Sequence, residues 1–203
     1  RRREPLSIIE QVGKAAVELW RDFKSLLTFV GELAVMLLRA ARQPRLVRWQ
    51  EAWLVAERSG VNALPIIALI GVLLGLILAF QSAIPMRRFG ADIFVADLLG
   101  IAMLREMGPL ITAIILAGRS GSAFAAELGT MKVREEIDAL RTMGLEPVRF
   151  LVVPRVIAAV AMIPVLTVFA NLFGLMGGAI VMRSLGYPLV TYVNQVLSAV
   201  TVG

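Results

Sequence analysis

The chain has 203 residues, 58% hydrophobic and 18% charged, and its 21 Lys and Arg against 15 Asp and Glu give a formal net charge of +6. Soluble domains are roughly 45–50% apolar, so a mean hydropathy of +0.79 places this composition in a bilayer. With no Cys and no His, disulfides, thiolate or imidazole metal sites, Ser-His-Asp triads and cysteine nucleophiles are excluded, and because the charges flank apolar runs the basic excess points to a membrane, not to nucleic acid.

The chain opens at Arg1 rather than Met, with no charged-then-apolar stretch ending in a small-residue cleavage site. It ends at Gly203 within an apolar stretch that has no earlier helix stop. Both termini therefore read as cut, with further membrane segments expected beyond the C-terminal end. Over residues 6–38, Ile8, Ile9, Val12, Ala16, Leu19, Trp20, Phe23, Leu26 and Leu27 recur at helical spacing among Glu10, Lys14, Glu18, Arg21, Asp22 and Lys24, which predicts an amphipathic helix. Its more apolar second half is shorter than the roughly 20 residues that cross a bilayer, so the helix is expected to lie in the interface. Arg39, Arg42, Arg45 and Arg48, with Pro44, Trp49 and Trp53, suit a headgroup-level anchor or a solvated charged loop.

Residues 64–85 carry no formal charge and form the first expected crossing. Within it Gly71 and Gly75 make a GxxxG pattern that lets helix backbones approach closely, and Gln81 offers an amide to a neighbouring helix or a cavity. The second crossing, 98–117, is interrupted by Arg105, Glu106 and Pro109. Ionisable groups inside a span cost several kcal/mol unless they face water or a partner, so at least one of Arg105 and Glu106 is expected to look into a bundle interior, for function or for assembly. A long polar loop, 119–155, follows with six basic residues (Arg119, Lys132, Arg134, Arg141, Arg149, Arg155). The basic residues before the first crossing put the N-terminus and this loop on the same, cytosolic face. Inside the loop, residues 123–143 predict one amphipathic helix with Phe124, Leu128, Met131, Ile137 and Leu140 on a common face, ended by Gly144 and Pro147. Such a helix suits a docking element or a face that simply meets water.

Residues 156–182 form the third crossing, with a kink expected at Pro164 and close packing at Gly174, Gly177 and Gly178. Gly186 and Pro188 mark a turn, after which the moderately apolar stretch from Leu189 to Val202, with Tyr192, Asn194 and Gln195, reads as an interfacial helix on the far side. The fold class is thus an all-α polytopic membrane protein, one domain over residues 1–203.

Four spaced motifs carry more than hydropathy: Arg105-Glu106-Met107-Gly108-Pro109, the run from Ala117 through Gly118-Arg119-Ser120-Gly121-Ser122 to Ala123, Ala126-Glu127-Leu128-Gly129-Thr130-Met131, and Pro154-Arg155. In this order they resemble the MlaE/YrbE family of permeases. The resemblance implies an ABC-type transporter of phospholipid or related lipid in a bacterial inner membrane: a permease homodimer, cytosolic ATPase subunits, a periplasmic MCE-domain ring, and in some members a STAS-type domain. Family members usually have five crossings, so about two are expected beyond these residues. The resemblance further implies that 123–143 is a coupling helix seated on the ATPase, with Glu127, Met131, Lys132, Glu135 and Glu136 as contact candidates. It places Arg105 and Glu106 near a lipid cavity, with Gln81, Leu74 and Leu78 as further lining candidates, and leaves Gly71, Gly75, Gly174 and Gly178 to helix packing. No GxxxxGK[ST] occurs in these residues, so ATP and Mg are expected in the partner ATPase, with no catalytic residue, metal or cofactor in this chain. An ion-coupled secondary transporter using Arg105 and Glu106, or a non-transporting membrane anchor, are the alternatives that the residues themselves leave open.

Overall fold

The computed structural model describes residues 8–43, 45 and 47–201. Their elements are all helical: α1 (Ile8–Arg42), α2 (Trp49–Arg88), a membrane-length run Asp92–Val133, α6 (Glu136–Thr142), a second such run Val148–Ser184, and α8 (Leu189–Thr201). Pro44, Val202 and Gly203 lie outside the described residues, as do the side chains of Ile8, Ile9 and Glu10.

Three helical stretches are long and apolar enough to cross a membrane, and all exceed their expected bounds: 40 residues for Trp49–Arg88, 42 for Asp92–Val133 and 37 for Val148–Ser184. Backbone groups in lipid must be satisfied within the helix, and nothing forces that hydrogen bonding to stop where the side chains become charged. Residues 49–63 are accordingly the first turns of α2 rather than a loop, and Arg39 and Arg42 close α1. Arg48 precedes α2, where it pairs with Glu51 at 2.5 Å and lies 4.2 Å above the Phe150 ring. The helices also run through Pro65, Pro85 and Pro164 without interruption.

Asp92–Val133 is composite. Its parts are a 3-10 turn (Asp92–Phe94), α3 (Val95–Ile101), a first π turn (Ala102–Met107), α4 (Gly108–Ile115), a second π turn (Leu116–Gly121) and α5 (Ser122–Val133). The polar loop expected from 119 thus begins as more helix, because Ala123, Ala125, Ala126, Leu128 and Met131 are strong helix formers. A single helix over 123–143 does not form. The chain breaks after Val133, where Glu135 takes φ 60° and ψ 11°, and α6 starts on a new axis. Gly144, at φ 73°, then ends α6 through Gly144 N–H to Arg141 C=O and Leu145 N–H to Leu140 C=O, both 3.0 Å, the paired closure that favours glycine. The third crossing begins with a third π turn (Val148–Val152) and continues as α7 (Val153–Ser184).

Contacts at small residues set the topology. A methyl on Gly60 would meet Met162, one on Gly71 would meet Ala170 and Phe173, and one on Gly75 would fall on the Gly174 carbonyl. Partner numbers rise together, so α2 and α7 run parallel with their backbones in near contact. Gly108 faces Asn171, Gly174 faces Met103 and Gly178 faces Leu99; here the numbers run oppositely, and the second crossing is antiparallel to both. The core lies among these three, with Ile67, Leu99, Met103, Leu166 and Met182 fully buried.

Two flanking helices differ from each other. α1 exposes Val12, Leu19, Trp20, Phe23, Leu26 and Leu27 and, among its described side chains, buries only Met36, leaving an apolar stripe free for the interface. α8 does not lie flat on the far side. Gln195 donates to Asp97 at 2.9 Å, Val196 packs on Gly100, and Tyr192 donates to the Leu175 carbonyl at 3.0 Å. These contacts carry α8 alongside α3 in the same direction, back toward Arg105, because burying Tyr192 and Val196 against the bundle leaves its other face for lipid.

Candidate functional site

The first π turn holds Arg105 and Glu106. A π turn inserts an extra residue into the helix and rotates the turns beyond it, a distortion that recurs at functional sites. Met103 of the same turn is fully buried, yet Arg105 and Glu106 are both exposed, and neither makes a hydrogen bond or ion pair among the described residues. The expectation that one of them looks into this bundle is therefore corrected: the interior position goes to Met103 and Gly108, and the charges point away from the three-helix core. Arg105 lines a cavity of about 300 Å³ with Ile101, Leu104, Ala199 and Val200. Leu74 and Leu78 instead pack half-buried on the core, and Gln81 is exposed on α2; none of the three joins Arg105 in that cavity.

One polar residue at this level escaped sequence reasoning. Asn171 of α7 is buried, and its Oδ1 occupies the space that a side chain on Gly108 would fill, with no hydrogen-bond partner. A buried amide left unpaired within a span is costly. The available signal was a lone Asn in an otherwise uncharged crossing, meaningful only once Gly108 is known to face it.

At the other end of the second crossing, Arg155 is only 11% exposed and clamps α5 to α7 through Glu127, at 3.0 Å from Nη2 and 3.4 Å from Nε, while its Nη1 donates to the Leu151 carbonyl at 2.7 Å. Glu127 is thus engaged inside the chain. Met131 is half-buried, Lys132 and Glu135 stand exposed at the turn after α5, and Glu136 is 3.9 Å from Arg134. Val133, 85% exposed, is the most exposed large hydrophobic at this tip, followed by Met143 at 65%; neither was singled out from sequence, where the break beside Val133 is not visible. Phe124, Leu128, Met131, Ile137 and Leu140 are all half-buried, but on two helices, the first three on α5 and the last two on α6. Among the described residues no cluster of His, Cys, Asp or Glu has the makings of a metal site.

The family model described as permease MlaE matches residues 53–203. A probable ABC transporter permease protein of Rickettsia felis is 33% identical over 87% of this chain and 66% of its own length. The intermembrane phospholipid transport system permease protein MlaE of Haemophilus influenzae is 33% identical over the same shares. The chloroplastic protein trigalactosyldiacylglycerol 1 of Arabidopsis thaliana is 34% identical over 80% of this chain and 45% of its own length. The chain spans no more than 66% of the length of any of these three. Three membrane-length helices and a family match covering most of the chain lead to one conclusion: this is a multi-pass membrane protein that belongs to the MlaE permease family.

Proposed function

We propose that the chain is the permease subunit of an ATP-driven transporter that moves phospholipid, or a related lipid, between the inner membrane and a periplasmic MCE protein. The observation that carries this reading is the continuous helical run Asp92–Val133, which joins the Arg105 and Glu106 turn to the exposed tip at Val133. Some 27 residues separate the two, or about 40 Å of helix at 1.5 Å per residue. A push at the tip is therefore delivered to the charged turn. The name of the Haemophilus influenzae relative, which specifies phospholipid transport, supports the choice of cargo.

In this mechanism a cytosolic ATPase dimer, holding ATP and Mg, receives Met131, Lys132, Val133, Glu135 and Glu136 in a groove. Nucleotide-driven closure biases the permease between two cavity shapes, and lipid prefers one of them. Arg105 offers a guanidinium whose planar donors match a lipid phosphate, and Glu106 sets the polarity beside it. A permease homodimer would give these outward-facing charges a shared cavity. The basic residues before α2 and along 132–155, against only Arg87, Arg88 and Arg183 at the opposite ends of the crossings, support a cytosolic N-terminus in the inner membrane. A STAS-type domain is a further partner that the family resemblance allows.

The experiment is affinity purification of the full-length protein from membranes, with mass spectrometry of co-purifying proteins and extracted lipids. An ATPase, an MCE protein and bound phospholipid are expected. A lipid-free protein without an ATPase would overturn the proposal in favour of an ion-coupled transporter or an anchor.

A further inference from the structure

Away from Arg105, a cleft of about 260 Å³ opens between the first turns of α2 and the second π turn, lined by Arg58, Ser59 and Asn62 on one side and by Arg119, Ser120 and Glu127 on the other. It lies where two crossings change character together: α2 carries no formal charge between Arg58 and Arg87, and the second crossing loses its apolar run at Arg119. On the membrane reading of the chain this end of the apolar runs, the end that also carries the Val133 tip, falls at the level of lipid headgroups.

The charges do not cancel within the cleft. Glu127, its only acidic lining residue, is already held by Arg155 at 3.0 Å. Arg58 and Arg119 form no ion pair among the described residues, and Glu57, the neighbouring carboxylate on α2, is not part of the lining. Ser120 is 7% exposed, lines the cleft, and its hydroxyl has no hydrogen-bond partner there. With no partner in the protein, this hydroxyl is free to bond whatever enters the cleft. The second π turn puts Arg119 and Ser120 into the same lining although they are adjacent in sequence.

We infer that this cleft is an anion subsite for the phosphate of a cytosolic-leaflet phospholipid. Arg58 and Arg119 supply paired guanidinium donors, Ser120 supplies a hydroxyl, and Ser59 and Asn62 supply neutral donors at the rim. The volume equals that of several waters at about 30 Å³ each, enough for a phosphodiester while the acyl chains remain in lipid. The inference rests on the membrane reading of the chain but not on transport, so its test reads binding alone.

The test uses the full-length protein, delipidated in detergent and titrated with phosphatidylglycerol by native mass spectrometry, alongside diacylglycerol as a phosphate-free probe. The Arg58→Gln/Arg119→Gln variant is expected to lose one retained phosphatidylglycerol per chain, with its apparent affinity lowered on the order of tenfold per arginine, and diacylglycerol binding is expected to be unchanged. Ser120→Ala, which removes only a hydroxyl, is expected to weaken the same site by a smaller factor and guards against a misfolded double variant. Wild-type affinity in both variants would overturn the inference, as would loss of that lipid in Arg105→Gln alone, which would place it at the first π turn. If inorganic phosphate raises the melting temperature of the wild type but not of the double variant while their lipid titrations coincide, the anion is soluble and the lipid assignment fails.

Discussion

α2 and the second crossing are nearly equal in length, 40 and 42 residues, yet they are built on opposite plans. α2 is a single regular helix whose buried positions recur about every four residues and are all Ala or Gly except Ile67. The second crossing changes helical form repeatedly, and its two π turns hold Arg105, Glu106 and Arg119. Small side chains let α2 approach α7 until backbones touch, a geometry with one good fit and no room to slide. A π turn is the reverse: a local distortion that costs regular hydrogen bonding and persists where a side chain must be aimed. The glycine seam with α7 and the charged π turns are therefore carried by different crossings.

The largest expected effect breaks the seam. A side chain at Gly75 meets the Gly174 backbone, which cannot rotate away, so Gly75→Leu is expected to cost about 3 kcal/mol, the upper end for overpacking, and to reduce sharply the recovery of folded protein from detergent. Gly129 of α5 has open space where a methyl would sit, with nothing within 4 Å, so Gly129→Ala is expected to raise stability, by about 1 kcal/mol at most, through helix propensity. Equal melting temperatures for the two variants would mean that the seam does not hold the fold.

Next comes the charge in the first π turn. Arg105→Glu is expected to cut phospholipid co-purification by on the order of tenfold while the complex assembles, because Arg105 touches the cavity and not the three-helix core. Collapse of assembly would assign Arg105 to structure instead and remove the contrast between the two crossings.

Asn171 sharpens the same contrast from the α7 side. Its amide oxygen is buried without a partner against Gly108, where α4 begins. Asn171→Leu keeps the volume and removes the unpaired group, so a gain of about 1 kcal/mol is expected in thermal unfolding of the isolated protein. A loss would show that the amide is paired in the folded protein, and that this joint is polar by construction.

Much of this layout is legible in the sequence, and the gaps have physical causes. Long apolar runs locate the three crossings, the second despite Arg105 and Glu106 within it, but not their ends, since helices continue into the headgroup region where charge is harmless. The Gly71 and Gly75 pair is visible as a pattern, whereas its partner face is a matter of which helix lies opposite. The π turns leave no trace in composition, because one extra residue changes register without changing residue type. The direction of α8 depended on Tyr192, Val196 and Gln195 finding α3 and α7, which an amphipathic pattern alone does not specify.

The break between α5 and α6 is the least legible feature and gives the smallest expected effect. No Gly, Pro or Asn marks it; Glu135 enters the left-handed region at φ 60°, with its N–H donating to the Lys132 carbonyl at 3.1 Å. A non-glycine residue there bears a cost of about 1 kcal/mol, and a glycine would not. Glu135→Gly is therefore expected to stabilise the protein by up to about 1 kcal/mol, less whatever entropy the glycine adds to the unfolded chain, and by itself to leave lipid binding at Arg105 unchanged. If Glu135 is also a contact to the ATPase, the same variant should recover less of that subunit, and Glu135→Asn, which tolerates the left-handed region better than Glu, should behave alike. A variant that gains stability and loses its partner would identify the turn as strain kept for docking; one that gains stability and keeps its partner would make it only a hinge between two helices.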